Sequence, residues 1–234
     1  MIVRTGKDSV LLITQPDHAQ LSGRIMEHCV PLQASPRRAS ILAAVAGHDN
    51  GWTEEDTAPI VDPASGRVAD FVSISLHVRH GVWPRGVRRL AGDPWAAALV
   101  AQHAITVYDR FRSDDAWKPF FARMEALRNE MLQASGLSIE ELLVDYPYVR
   151  LGDLISLVFC TGWTDEHRIA GWSVRRTGDR VVVTPGAFGG RPVPVEIPAA
   201  EIRCLTFQSD ADLRAALTSA RTVTLRGEII DGGT

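Results

Sequence analysis

Hydrophobic positions divide the chain into strand-like segments at both ends and helix-like segments between them. Two apolar runs, residues 2–4 and 10–13, flank the turn Gly6-Lys7-Asp8, which predicts a β-hairpin over residues 1–14. From Asp17 to about Cys160 the apolar residues instead recur every three or four positions, which is the period of an amphipathic helix. The sequence therefore predicts a helical region that begins directly after the hairpin.

Several helices are expected in this region. The first runs from about Pro16 to Cys29, and the second opens at Ser35-Pro36, where an N-cap residue precedes proline at the first helical position. Further helices are predicted over residues 71–80, 93–111, 116–134, 138–145 and 151–160. The acidic, proline- and glycine-rich residues 53–70 indicate a long loop, and long ordered loops often border sites.

Strand patterns return after Gly162. Strands are predicted over residues 169–176, 181–184, 193–197, 202–207 and 222–230, with a short helix capped by Ser209 before the last of them. The N-terminal hairpin is expected to join this sheet, because strands at the two chain ends otherwise leave unpaired edges. The fold class predicted is mainly α, with a small antiparallel β-sheet formed by the C-terminal region and the N-terminal hairpin.

Composition and charge exclude several classes of protein. Of 234 residues, 45% are hydrophobic and 23% are charged, which is typical of a globular protein and not of a disordered chain. The net charge of -3 gives no electrostatic reason to expect a nucleic acid or an anionic membrane as partner. The start lacks a secretory signal and the densest apolar run, residues 154–160, is too short to span a bilayer. Three cysteines without a CxxC pair favour a reducing, cytoplasmic location.

Ionisable side chains on apolar helical faces are the most informative feature of the sequence. His18, His48 and His103 each share a face with leucine, isoleucine, valine or alanine, and Asp153 lies among the apolar residues of the last helix. A single buried histidine is most often a satisfied core residue. A buried carboxylate is costly without a cationic partner, however, and a divalent metal held by imidazoles and carboxylates would satisfy these groups together.

These motifs resemble two known groups of proteins. The order His18, His48-Asp49 and Asp153 resembles the HD-domain superfamily, all-helical metal proteins in which H, HD and D bind one metal. The segments 15–18, 48–52 and 153–160 more closely resemble the uncharacterised bacterial family called domain of unknown function 3891, over most of the chain. The resemblance implies a single domain, residues 1–234, with an HD-like helical bundle over residues 15–162 and a β-rich subdomain from residues 1–14 and 163–234.

HD proteins with two metals carry extra histidines between the HD pair and the final aspartate. His77, followed by Gly81, resembles that intermediate position, and His103 lies 26 residues further on. His80 is three residues from His77 on the same helix face, and the sequence leaves open which of the two is the ligand. His28 and His167 are expected at the surface.

The resemblance and the inward-facing residues together give a predicted set of site residues. Catalytic roles are expected for His103 and Asp49. The expected cofactor is one or two divalent ions of Fe, Mn, Zn or Mg. The predicted metal ligands are His18, His48, Asp49, His77, His103 and Asp153.

Further side chains are candidates for the same pocket. Gln15 and Asp17 precede His18 and could cap the helix or orient an imidazole, with capping favoured for Asp17, and Trp52 could line the pocket or pack in the core. Residues 54–56 are expected to form a solvated acidic loop, with a general base as the alternative role. Four arginines could clamp a phosphate: Arg24, Arg37, Arg38 and Arg79.

Three functions fit this pattern. The first is a metal-dependent phosphohydrolase in which His103 transfers a proton, and the second is a non-haem di-iron oxygenase that uses all six ligands. The third is a metal or ligand site without chemistry, in which the β-rich tail serves a partner or a homodimer interface. A small-molecule substrate is expected for the first two, and its identity cannot be read from one sequence.

Overall fold

The computed structural model describes residues 1–233, in which a group of helices is flanked by a sheet built from both ends of the chain. The helices are α1 Gln15–Met26, α2 Val30–Gln33, α3 Arg38–Gly47, α4 Thr53–Thr57, α5 Leu76–Arg89, α6 Pro94–Val107, α7 Lys118–Ser135, α8 Ile139–Thr161 and α9 Asp210–Thr218. The strands are β1 Ile2–Thr5, β2 Val10–Ile13, β3 His167–Ile169, β4 Trp172–Thr177, β5 Arg180–Thr184, β6 Val193–Ile202 and β7 Arg221–Asp231. Three-residue 3₁₀ turns lie at Asn50–Trp52, Asp109–Phe111 and Asp115–Trp117.

Local capping explains where the main helices begin. Thr14 caps α1 by accepting a hydrogen bond from the backbone N–H of Asp17, so the threonine and not Asp17 is the cap residue. Asp93 caps α6 in the same way, directly before Pro94. Ser75 caps α5, which therefore begins five residues later than the predicted start at residue 71.

Helix α8 is one continuous helix where the sequence predicts two shorter ones. A capping box between Ser138 and Glu141 starts it, and it continues through Pro147 for 23 residues. It packs against α1, α3 and α6 and also against strands of the sheet. Because neighbouring elements cover nearly every side of its second half, tertiary burial stabilises a helix that proline would otherwise interrupt.

The sheet has the strand order β1-β2-β6-β7-β5-β4-β3. The N-terminal hairpin joins it as predicted, since β2 pairs with β6 and places Val10 opposite Ile202. Strand β7 lies between β6 and β5, antiparallel to the first and parallel to the second. Since β5 and β6 run in opposite directions, any strand inserted between them must be parallel to one of the two.

The predicted fold class is wrong. The described chain is 51% helical and carries a seven-stranded mixed sheet that curves into a half-barrel, and it is not a mainly α, HD-like bundle with a small antiparallel sheet. Strand β6 runs unbroken from Val193 to Ile202, where the sequence predicts separate strands over residues 193–197 and 202–207, and residues 203–207 form no strand. Strand β7 pairs with β6 along most of its length. The expectation of purely antiparallel pairing fails at the parallel contact between β5 and β7.

The sheet buries one face against the helices. Along β6, Val193, Val195, Ile197 and Ala199 are buried, whereas the residues between them are exposed. Helices α1 and α8 pack on this sheet and at the same time on α3, so their other faces meet in the helical core. Across residues 1–233 we find no helix with the length and apolarity that crossing a membrane requires.

Candidate metal centre

Five side chains from four separate segments meet where α1, α3, α6 and α8 pack together. His18 comes from α1, His48 and Asp49 directly follow α3, His103 comes from α6, and Asp153 comes from α8. All are buried except Asp153, whose side chain is 20% exposed. The helical period explains their inward direction, because each helix buries the face on which its ionisable residue lies.

The donor atoms of these five residues lie close together. His18 Nε2 is 3.1 Å from Asp153 Oδ1 and 3.3 Å from His48 Nε2. His48 Nε2 is also 3.4 Å from Asp49 Oδ2 and 3.4 Å from Asp153 Oδ1. His103 Nε2 lies 3.5 Å from the other carboxylate oxygen of Asp153. Two groups could hold a metal ion: His18, His48 and Asp49, and His48, His103 and Asp153.

Hydrogen bonds on the far side of two imidazoles orient these rings. The Oγ–H of Ser156 donates to the backbone carbonyl of His18, so the same hydroxyl oxygen accepts from His18 Nδ1–H at 2.8 Å. His48 Nδ1–H donates to the carbonyl oxygen of Val45 at 2.7 Å. In the neutral imidazoles both Nε2 atoms therefore carry a lone pair directed at the cluster, as metal ligands require.

The protonation of the cluster reflects its mixture of charges. Burial lowers the pKa of His48, but the carboxylates of Asp49 and Asp153 outweigh burial and raise this pKa well above its ordinary value. Burial acts to raise the pKa of Asp153, and hydrogen bonds from His103, His18 and His48 instead hold this pKa well below its ordinary value. In the metal-free cluster, a protonated His48 is therefore stabilised by the carboxylates of Asp49 and Asp153. A metal cation can replace the proton of His48 in this position.

A small cavity of about 80 Å³ adjoins the cluster. Four of the five cluster residues line it, all except His48. The rest of its lining is largely apolar or aromatic: Gln15, Trp52, Phe71, Trp83, Val107, Tyr108 and Leu157. Val107 is 43% exposed, and Phe71 and Leu157 are partly exposed, so this side of the cavity lies nearest to solvent. The arrangement gives a small molecule a route to the carboxylates and imidazoles.

Aromatic side chains form the wall behind His103. The hydroxyl of Tyr146 lies 3.2 Å from His103 Nδ1. Trp83 packs beside the His103 ring and donates its Nε1–H to the hydroxyl oxygen of Tyr108 at 3.3 Å. Burial raises the pKa of Tyr108 to about 12, so its phenol keeps its proton at neutral pH.

The structure does not bring the other predicted histidines to this cluster. His77 is exposed on α5 and belongs to neither metal-capable group of the described chain. His80 packs between Trp117 and Phe120, with ring centroids 4.9 and 5.1 Å away, and burial lowers its pKa. His28 is exposed as expected, whereas His167 is half-buried beside Trp163.

The candidate phosphate-clamping arginines lie elsewhere too. Arg37 pairs with Asp145, and the other three donate to backbone carbonyls of Glu196, Glu27 and Ile74. The predicted acidic loop at residues 54–56 forms part of α4, where Glu54 and Glu55 pair with Arg85. Asp56 is buried and accepts the backbone N–H of Gln15.

Sequence reasoning overlooked the side chains that hold the histidines. Ser156 and Tyr146 lie on α8 at three residues after and seven residues before Asp153, which places them on the same helical face. That spacing was available in the sequence. Nothing in the sequence, however, indicates which imidazole each hydroxyl contacts, since the partners are more than 40 residues away.

Comparison with known proteins identifies the family. Residues 1–203 match the family described as "Protein of unknown function (DUF3891)", and the chain belongs to it. No curated protein and no solved structure matches the chain. The family description assigns no activity, so a function has to be argued from the site.

Proposed function

We propose that this member of the DUF3891 family is a divalent-metal-dependent hydrolase. The observation that carries the proposal is that three imidazoles and two carboxylates form two metal-capable groups that share His48, beside a cavity. Buried ionisable residues from four segments are costly to assemble unless they serve a common ligand. The order of His18, His48-Asp49 and Asp153 along the chain also resembles the metal ligands of HD-domain proteins, which supports the same interpretation.

The donor set fits a divalent ion. Ligand atoms about 2.1 Å from one ion lie about 3.0–3.4 Å apart in octahedral or tetrahedral arrangements, given usual bond lengths. The contacts of His18 and His48 with each other and with Asp153 fall at 3.1–3.4 Å. Nitrogen and carboxylate donors suit Zn, Mn or Fe, and two carboxylates balance the charge of a divalent ion.

The residues divide into holding and reacting roles. We assign His18, His48, Asp49 and Asp153 to hold the ion, which when bound lowers the pKa of water and polarises a substrate oxygen. His103 lies at the boundary between the cluster and the cavity, and its Nδ1 contacts the hydroxyl of Tyr146. This position suits it to move a proton between water and the leaving group.

Metal analysis tests the proposal first. Protein purified without chelator and then loaded with Zn²⁺ or Mn²⁺ is expected to hold one ion per chain by mass spectrometry, because both metal-capable groups share the single free ring nitrogen of His48. His48→Gln, which removes the central imidazole, is expected to reduce the metal content to less than about a tenth. His77→Gln is the matched control and is expected to keep the full content, since His77 is exposed outside the cluster.

Turnover is then measured with the loaded protein. The panel contains phosphoesters, which the HD resemblance implies, together with carboxylic esters and amides. Hydrolysis that disappears with His103→Gln while the metal is retained supports the proposal. Full metal content in His48→Gln, or no hydrolysis of any substrate class, contradicts it. Two ions per chain, one of them lost in His77→Gln, would instead favour the six-ligand oxygenase.

A further inference from the structure

Two buried polar atoms beside the metal centre have no hydrogen-bond partner within residues 1–233. They are Gln15 Oε1, an acceptor, and Trp52 Nε1, a donor. Both side chains are more than nine-tenths buried, and both residues line the same cavity as His18 and Asp49. Because a buried polar group without a partner is costly, an unpaired donor and an unpaired acceptor at one cavity point to a ligand that offers the complementary pair.

The cavity also lacks the charges that a phosphate requires. Among the described residues, none of those lining it is an arginine or a lysine. Arg79, one of the four arginines predicted to clamp a phosphate, donates to the carbonyl of Ile74 and lies over the ring of Trp117. Asp49 and Asp153 already neutralise a divalent ion, so a phosphate dianion in this apolar cavity would keep its charge uncompensated.

The small size of the cavity further restricts the ligand. At about 80 Å³ it is well below the roughly 300 Å³ at which sites for drug-sized ligands begin. Trp83, Leu157 and Phe71 supply apolar contact on its walls. It therefore suits a small uncharged molecule, or the small uncharged end of a larger one.

We propose that Gln15 and Trp52 bind a small uncharged carboxamide as the substrate of this centre. Trp52 Nε1–H donates to the carbonyl oxygen of the substrate, and Gln15 Oε1 accepts its amide N–H. The inference rests on the proposed hydrolase function and narrows its substrate class from phosphoesters, carboxylic esters and amides to amides alone. In the reaction one water is consumed: its oxygen bonds to the carbonyl carbon, the carbon–nitrogen bond breaks, and protons pass to the departing amine. No atom is oxidised or reduced.

Binding of two fluorinated probes of similar size tests the inference. The zinc-loaded protein is titrated with fluoroacetamide, which is neutral, and with monofluorophosphate, which is a dianion, and both are followed by ¹⁹F NMR. We expect fluoroacetamide to bind at least about tenfold more tightly, since only it satisfies both unpaired atoms without burying charge. Tighter binding of monofluorophosphate would overturn the proposed substrate class.

Two conservative variants test the residues. Trp52→Phe and Gln15→Met each remove one unpaired polar atom; methionine keeps the shape of glutamine, and phenylalanine keeps an aromatic ring but is smaller than the indole. Each variant is expected to raise the Kd of fluoroacetamide about three- to tenfold. In Gln15→Met the ligand-free melting temperature is expected to stay at the wild-type level, because no hydrogen bond of the removed atom is lost. In Trp52→Phe it is expected to fall by the loss of buried packing alone, since this side chain is almost fully buried. A purely structural role of either residue would instead leave the Kd unchanged.

Trp95→Phe is the matched control. Trp95 Nε1 donates to Asp145 Oδ2 at 3.0 Å, away from the cavity. This variant is expected to lower the melting temperature while it leaves fluoroacetamide binding at the wild-type level. Unchanged Kd values in both Trp52→Phe and Gln15→Met would overturn the assignment of these residues.

Metal content is measured in every sample before the probes are added. A wild-type protein that takes up no zinc would contradict the proposed hydrolase function itself. Full zinc content without preference for fluoroacetamide would contradict only the inference about the substrate. The two failures are therefore distinguishable.

Discussion

At the scale of single residues, the side chains behind the metal ligands matter as much as the ligands. The hydroxyl of Ser156 accepts from the Nδ1–H of His18 and donates to the carbonyl of the same residue, so one serine holds both the ring and its helix. Such contacts fix the tautomer and the direction of a ligand imidazole before any ion binds. The cluster is pre-organised by residues that do not themselves reach it.

Ser156→Ala is expected to weaken zinc affinity about ten- to a hundredfold, because the His18 ring loses the partner that fixes its tautomer. The affinity is measured by competition with a chromophoric chelator. Ser22→Ala is the matched control, since Ser22 is equally buried and donates to the same His18 carbonyl at 3.1 Å, without contact to the ring. Equal losses in the two variants would show that the ring contact has no special role.

At the scale of elements, the site depends on how closely three helices approach one another. Gly152 lies on α8 directly before Asp153, and a Cβ atom there would come within 2.7 Å of Val45 Cγ1 and 2.8 Å of Met26 Cγ. Val45 belongs to α3, which directly precedes His48, and Met26 belongs to α1, which contains His18. The absence of a side chain at position 152 lets the three ligand-bearing segments meet.

Gly152→Ala is therefore expected to separate these helices. Overpacking costs about 1–3 kcal/mol, against a gain in helix propensity of about 1 kcal/mol, so we expect a net loss of stability. Zinc affinity is expected to fall as well, because Asp153 moves away from His18 and His48. Urea unfolding and chelator competition measure the two effects.

Gly81→Ala is the control for helix propensity alone. Apart from the backbone of α5 itself and the two chain neighbours, no atom of the described residues lies within 4 Å of a Cβ at this position. We expect this variant to be about as stable as the wild type or up to about 1 kcal/mol more stable, with unchanged zinc affinity. A stable Gly152→Ala variant with full affinity would refute the close-packing argument.

At the scale of the whole molecule, folding and metal binding are coupled through the protons of the cluster. The raised pKa of His48 contributes stability to the metal-free protein that is fully present below pH 6.5 and is lost as the pH rises through the folded-state value. The lowered pKa of Asp153 contributes stability present above pH 3.8, which is lost as the pH falls through its folded-state value. The stabilising contributions of His48 and Asp153 are therefore both fully present between about pH 3.8 and pH 6.5.

A bound metal ion is expected to reverse the pH dependence that arises from His48. Since binding displaces the proton of His48, zinc affinity is expected to rise by up to about tenfold per pH unit below the folded-state pKa of His48. The increase in melting temperature on adding zinc should therefore be larger at pH 8 than at pH 6, as scanning calorimetry can measure. In His48→Gln this pH dependence is expected to weaken strongly. A zinc-induced shift that is independent of pH in the wild type would contradict the coupling.

The sheet shows where prediction from sequence reaches its limit. Alternating apolar residues and turn signals located most strands and the hairpin. The need to cover strand edges predicted that the hairpin joins the sheet, and the structure shows that it does so by pairing β2 with β6. The position of β7 between β5 and β6 has no local signal, because strand order depends on contacts between distant segments. For this reason the prediction of a small, antiparallel sheet was wrong.

The predicted ligand set divides in the same way. The periodicity of each helix indicated that His18, His48, His103 and Asp153 face inward, and the structure brings these residues together with Asp49. His77 and His80 fitted an expected spacing equally well, yet one is exposed and the other packs against aromatic rings. Spacing along one helix does not state where that helix lies relative to the others.

By itself, the sequence determined some helix caps, such as Asp93 and Ser209, the apolar faces and the presence of ionisable residues on those faces, because these properties depend on neighbours within a few positions. Only the tertiary structure decided which histidines share a focus, which hydroxyls orient them and which polar atoms beside the cavity lack partners. The physical reason is that these relations arise between segments tens of residues apart, where packing of whole helices sets the distances.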